Sequence, residues 1–248
     1  MANWNDPRNT SSGLGGSPSL NGTTIGRAAS YDIGLRRHML SIYNYMTSGV
    51  LLSGIIALLM AQSGMAMALM GTPLRWMFVL SPLAIVFAMS FGANRFTTTT
   101  LQVLFWAFAA LMGVSLSTLF LVYTGGSIAA TFFATAGAFA GLSLFGYTTR
   151  KDLSAFGTFL IMGVVGLLIA SLLNIWLQSP GLYWAVSFLG VLIFAGLTAY
   201  DTQALKNQYT HVAGTEFAGK AAVLGALTLY LDFINMFQFL LSFMGDRR

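Results

Sequence analysis

The chain has 248 residues, of which 56% are hydrophobic and only 8% charged, where soluble domains carry about 25% charged residues. That deficit excludes an ordinary soluble domain and predicts a polytopic membrane protein, provided that apolar runs of about 20 residues recur. The net charge of +5 is explained by the positive-inside bias and by anionic lipid headgroups, so the lipid bilayer is the expected partner and nucleic acid is not.

The first stretch, "MANWNDPRNTSSGLGGSPSLNGTTIGRAAS", is rich in Gly, Ser, Asn and Thr. It has too little apolar surface to offset the entropy of ordering, and residues 1–35 are expected to be a disordered polar tail. No apolar h-region follows the start, so the first span is expected to act as the insertion signal. Residues 36–248 are expected to form a single transmembrane domain. Seven apolar runs follow, at Leu40–Met60, Trp76–Ala93, Leu101–Tyr123, Ser127–Tyr147, Ala155–Leu177, Tyr183–Leu205 and Ala221–Met244. Pro73 and Pro180 fall near connections, and Pro82 sits early in the second run, where a missing N–H is best tolerated. Gly137 and Gly141 form a GxxxG pair inside an apolar run, which predicts close helix packing rather than a phosphate loop.

With the N-terminus cytoplasmic, nine of the twelve basic residues lie on that side: Arg8, Arg27, Arg36, Arg37, Arg95, Arg150, Lys151, Lys206 and Lys220. The bias predicts that orientation, and seven crossings then place the C-terminus on the far side. The basic ending "GDRR" fits the cytoplasm better, and a re-entrant last segment would accommodate it. There is no cysteine, which excludes disulfides, thiolate catalysis and cysteine metal sites. His38 and His211 have no partner at ligand spacing, so no histidine metal site and no cofactor are expected.

Of the seven acidic residues, only Asp201 and Asp232 fall inside apolar runs. Asp232 interrupts "LYLDFINMFQFLL", where a carboxylate costs about 2.5 to 3.5 kcal/mol on insertion scales, so ionisable residues there default to function. The two acids lie on consecutive runs joined by a short loop, so the helices are antiparallel neighbours and the carboxyls can face each other. Their depths match only if "TQALKNQY" continues the sixth helix beyond the lipid and the seventh helix also begins outside it. The pair would then sit in a cavity open to the cytoplasm. Thr198 precedes Asp201 by three residues, Thr228 precedes Asp232 by four and Asn235 follows it by three, so each set shares a helix face. These three are read as supporting polar groups or as links between helices. Two adjacent carboxylates cannot both ionise cheaply, so the pair is expected to share a proton and to titrate in coupled steps, a pH switch without histidine. Arg95, at the end of the second run before "TTTT", either snorkels to headgroups or bridges to Asp201 as a latch.

Through "GLTAYDTQ", Gly196–Gln203, and "LYLDFINMFQFLL", and through the spans from about Leu40 to Met244, the chain resembles the Bax-inhibitor family. The resemblance implies an all-α membrane fold of seven transmembrane helices, with two three-helix layers around a central C-terminal helix. Bacterial members resemble pH-sensitive calcium leak channels whose two acids, here Asp201 and Asp232, form a hydrogen-bonded pair. A basic residue latches the first acid, and Arg95 matches that position, although "GANRFTTTT" lacks the several basic residues of the relatives. Two carboxylates fall well short of the six to eight oxygens that Ca²⁺ prefers, so Asp201 and Asp232 would hold calcium weakly and transiently, as permeation requires.

The expected function is therefore a passive, pH-gated cation leak with calcium and protons as partners, not an enzyme. Three readings compete with it. An intramembrane aspartyl protease would also carry two aspartates, yet its second acid lies in GxGD where this chain has "LYLD", and no Pro-Ala-Leu motif follows. A regulator, which the resemblance implies would modulate cell death or a membrane protease, would bind other membrane proteins, of which nothing in the tail selects one. A proton-coupled exchanger would tie ion flux stoichiometrically to proton flux. The bacterial inner membrane is the expected location.

Overall fold

The computed structural model describes residues 20–73 and 75–248, with side chains from Tyr31 onward apart from Met70. Among them the elements are α1 (Leu20–Gln62), α2 (Met65–Met70), α3 (Arg75–Gly92), α4 (Thr98–Leu116), α5 (Leu119–Val122), α6 (Gly125–Thr148), α7 (Ser154–Leu177), α8 (Pro180–Val212) and α9 (Phe217–Met244). Seven segments are long and apolar enough to cross a membrane: most of α1, then α3, α4 with α5, α6, α7, α8 and α9. The protein is an all-α integral membrane protein. Residues 1–19 of the expected tail lie outside the described residues. From Leu20 the backbone is helical and runs unbroken into the first span, because adding residues to an existing helix costs far less than nucleating one.

Caps set the boundaries inside the runs. Thr97 accepts from the Thr100 N–H at 3.2 Å to start α4, so "TTTT" is a helix start. Thr124 caps α6 and Ser179 caps α8, with Pro180 following in the first turn. Pro82 lies in the body of α3, deeper than the early turn expected of it. Its missing N–H leaves the Phe78 carbonyl without an intrahelical donor. Ser115 of α4 supplies one at 2.8 Å and Ser81 a longer one at 3.3 Å, so a neighbouring helix repairs the break.

α9 is the most buried span. It packs on α8, α1, α6, α4 and α3, while α3 and α1 pack on α4, and α6 and α7 pack on α8. Its anchor toward α1 and α4 is Tyr230, fully buried, with its ring edge-on to Phe108 at 5.0 Å. The hydroxyls of Tyr230 and Ser53 lie 2.6 Å apart, and Ser53 donates to the Ala109 carbonyl at 2.6 Å. A hydroxyl has one proton to give, so Tyr230 donates to Ser53 and the three helices are tied in sequence.

Close backbone approach occurs at glycines other than the GxxxG pair. A Cβ on Gly146 would run into the Ala199 backbone of α8, and one on Gly113 would meet the Ser53 backbone of α1. Gly137 and Gly141 have nothing within 4 Å of such a Cβ. The expected close packing there is therefore not made within the chain, because that face of α6 turns outward.

The C-terminus resolves the puzzle of "GDRR". α9 is one continuous helix through Met244, not a re-entrant segment. The chain then returns along the start of α6: Thr124 N–H donates to the Asp246 carbonyl at 3.1 Å, and Arg248 N–H to the Val122 carbonyl at 2.9 Å. The Arg247 guanidinium lies over the Tyr183 and Tyr123 rings at 5.2 and 5.9 Å and donates to the Tyr183 hydroxyl at 2.9 Å. Local aromatic partners hold this cation, so its side of the membrane needs no appeal to the charge bias.

The Ser115→Ala variant is expected to lose about 1 kcal/mol of stability, more than Ser81→Ala, as thermal unfolding in detergent would show.

Candidate functional site

The site is built where α8 meets α9 as antiparallel neighbours. The loop between them turns through Gly214, whose φ of 74° is in the left-handed region. α8 continues well past Asp201 to Val212, and α9 begins at Phe217, long before Asp232. Both extensions required to bring the acids level are therefore present. Asp201 and Asp232 meet side chain to side chain in a hydrogen bond. Asp232 is 4% exposed and Asp201 half-buried. The Asp232 Oδ2 atom is fully buried and has no hydrogen-bond partner among the described residues.

An ionised carboxylate only accepts hydrogen bonds. A hydrogen bond between two carboxyls therefore requires a proton on one of them, and this arrangement is that of a pair holding at least one. Removing the last shared proton would leave two like charges in contact, with a buried oxygen unsolvated, at a large electrostatic cost. The pair is packed between helices rather than exposed in the cytoplasm-facing cavity expected of it, because the extended helices cover it.

The remaining expected residues divide. Thr198 is fully buried and donates to the Phe194 carbonyl at 2.8 Å, and Thr228 donates to the Leu224 carbonyl at 3.2 Å. Both hydroxyl protons thus satisfy their own helices. Asn235 is half-buried and makes no hydrogen bond to either acid. Arg95 stands exposed in the turn between α3 and α4 and forms no ion pair with Asp201. The expected latch contact is therefore not made. No cluster of three or more metal-ligating side chains occurs among the described residues.

What sequence reasoning missed is how fully "GLTAYDTQ" is used. Ala199 backs onto Gly146 of α6 and the Tyr200 ring covers Gly157 of α7. Asp201 faces α9. Thr202 shares a hydrogen bond of 2.9 Å with Ser143 of α6, and Ser143 one of 2.5 Å with Tyr43 of α1. Gln203 accepts from Leu153 N–H at 2.9 Å and donates to the Lys151 carbonyl at 2.8 Å, clamping the loop before α7. Lys206 donates to the Tyr147 carbonyl at 2.7 Å. Successive residues of one turn face different helices, which only a helix buried on several sides permits. The one sequence signal was a run of small and polar residues late in an apolar helix.

An all-helical membrane bundle with a hydrogen-bonded carboxyl pair at its centre is the class this fold and site define. Residues 35–248 match the family described as "Inhibitor of apoptosis-promoting Bax1". The chain is 45% identical over 219 residues to the inner membrane protein YbhL of Escherichia coli, covering 87% of this chain and 94% of that one. It is 44% identical over 237 residues to an uncharacterized protein of Rickettsia prowazekii, covering 91% and 96%. An uncharacterized membrane protein of Streptococcus pyogenes is 33% identical over 218 residues, covering 86% and 94%. The chain belongs to the Bax inhibitor family.

Replacing Gln203 by Ala should unclamp the loop before α7. Hydrogen–deuterium exchange is expected to show the Leu153 amide losing protection, with helix amides in α9 unchanged.

Proposed function

We propose that the protein is a passive, pH-gated cation leak, with calcium as a permeant ion and the Asp201–Asp232 pair as both proton sensor and ion-facing group. The observation that carries this reading is the buried hydrogen bond between the two carboxyls, with Asp232 Oδ2 unpartnered. With the shared proton in place, α8 and α9 close on each other. Loss of that proton sets two carboxylates against each other at the centre of the bundle, and the repulsion is relieved when water or a cation enters between the helices. The closed form thus binds more protons than the open one, so raising the pH favours opening. A divalent cation meeting two carboxylates and water is held weakly enough to leave again. The pair is assigned no catalysis, and the passive mechanism needs no coupled proton exchange.

In this reading the N-terminus is cytoplasmic, following the basic residues, and the membrane is the bacterial inner membrane, by analogy with the named Escherichia coli relative. Arg95 is exposed in its turn and makes no ion pair with Asp201 here, so its latch role belongs to a second conformation. A second reading, a regulator of other membrane proteins, is favoured by the outward Gly137 and Gly141 of α6, which leave room for a partner helix.

Calcium flux into proteoliposomes is expected to rise between pH 5 and 9. Asp232→Asn supplies an amide donor to Asp201 without a titrating proton, so the pH dependence should flatten. A pH-dependent flux that persists when both acids are Asn would reject the mechanism, and absence of flux at every pH would favour the regulator.

A further inference from the structure

The tight contacts of the bundle leave one long gap. α1 packs closely on α4, and α6 on α8, but between α1 and α6 lies a cavity of about 670 Å³. Its walls include Val50 of α1 and Phe132 and Ala140 of α6, and Phe233 of α9 reaches it from behind. A second cavity of about 370 Å³ continues the first, sharing Val50 and Phe132 with it. The walls are mostly hydrocarbon and aromatic; Tyr43, Thr47 and Ser143 bring hydroxyls among them, and those of Tyr43 and Ser143 are already hydrogen-bonded to each other, so the cleft suits an apolar chain.

One end of the cleft differs. Arg36 lines it there, exposed, just before the apolar run of α1 begins. Arg36 makes no ion pair among the described residues, and Lys206 lies over the ring of Tyr147, which lines the same cleft, at 5.2 Å. From Arg36 to Leu51, which also lines the cavity, α1 rises about 22 Å at 1.5 Å per residue. That is close to one leaflet, about 15 Å of hydrocarbon plus its interface. A cation at headgroup depth above an apolar slot one leaflet long matches the two ends of a single lipid molecule.

We propose that the cleft between α1 and α6 is a lateral binding site for one phospholipid of the surrounding bilayer, with an acyl chain in the cavity and the phosphate at Arg36. The guanidinium pairs with phosphate oxygens through charge-assisted hydrogen bonds. A second copy of the chain is the weaker occupant. Copies inserted in one orientation would bring their own Arg36 and Lys206 to the same end, where like charges repel. The site is independent of the leak mechanism, although its rear wall, Phe233, directly follows Asp232 in the chain.

The test is native mass spectrometry of the full chain, purified in detergent and titrated with palmitoyl-oleoyl phosphatidylglycerol. One tightly retained lipid is expected. Ala140→Trp, which plugs the cleft from its open side, should abolish retention. Arg36→Gln should weaken it about tenfold, and Leu172→Trp, on the outward face of α7, should leave it unchanged. Unfolding temperatures certify each variant, and Ala140→Leu replaces the Trp variant if that one does not fold. Equal retention by the parent and the plugged variant would overturn the proposal. So would equal loss in Leu172→Trp, or a protein dimer that the plug abolishes in place of a bound lipid.

Discussion

The contact between the carboxyls of Asp201 and Asp232 is the constraint around which this bundle is arranged. In water the hydrogen bond between Asp201 and Asp232 would have little value. Between α8 and α9, with one Asp232 oxygen buried and unpartnered, the same contact is compatible with the fold only while the pair keeps a proton. The low dielectric that makes the contact strong also makes its loss costly.

The pair needs rigid supports, and the two motifs provide them on opposite sides. On α9, Tyr230 and Asp232 project to different faces. Tyr230 is fastened through Ser53 to α1 and α4, which leaves Asp232 aimed at α8. On α8, the residues flanking Asp201 reach α6, α7 and the loop before α7. A rotation of either helix that misaligned the acids would break several buried hydrogen bonds at once. The acid pair is thus held in register by a stiff frame.

The frame is uneven around its circumference. Tyr123, Tyr183 and Arg247 draw the C-terminus across the N-terminal ends of α6 and α8, and the Gly146 contact draws α6 against α8. Nothing comparable draws α6 against α1, where the Tyr43 to Ser143 hydrogen bond crosses an otherwise open seam. In water such a seam would collapse or aggregate. In a bilayer it can remain, because lipid chains solvate it as well as leucine does.

Much of this was legible in the residues, since each helix must satisfy its own backbone in lipid. That rule turns apolar runs into helices, makes a Ser or Thr beside Pro or Gly a boundary, and marks two intramembrane acids as exceptional. The all-α class, the seven spans and the proximity of Asp201 to Asp232 follow from these local rules with a short loop. Tertiary structure decided the partners. Helical periodicity says which residues share a face, but not which helix that face meets. Only the packed bundle turned Gly137 and Gly141 outward, left Arg95 exposed in its turn, repaired Pro82 with Ser115 and tied Arg247 to two tyrosines. Thr198 and Thr228 spoke equally for a site or for helix support until the nearest carbonyl, one turn back on each helix, was seen to take their protons. These contacts depend on the rotation and crossing of whole helices, which are set by the sum of many small packing energies and not by any short stretch of sequence.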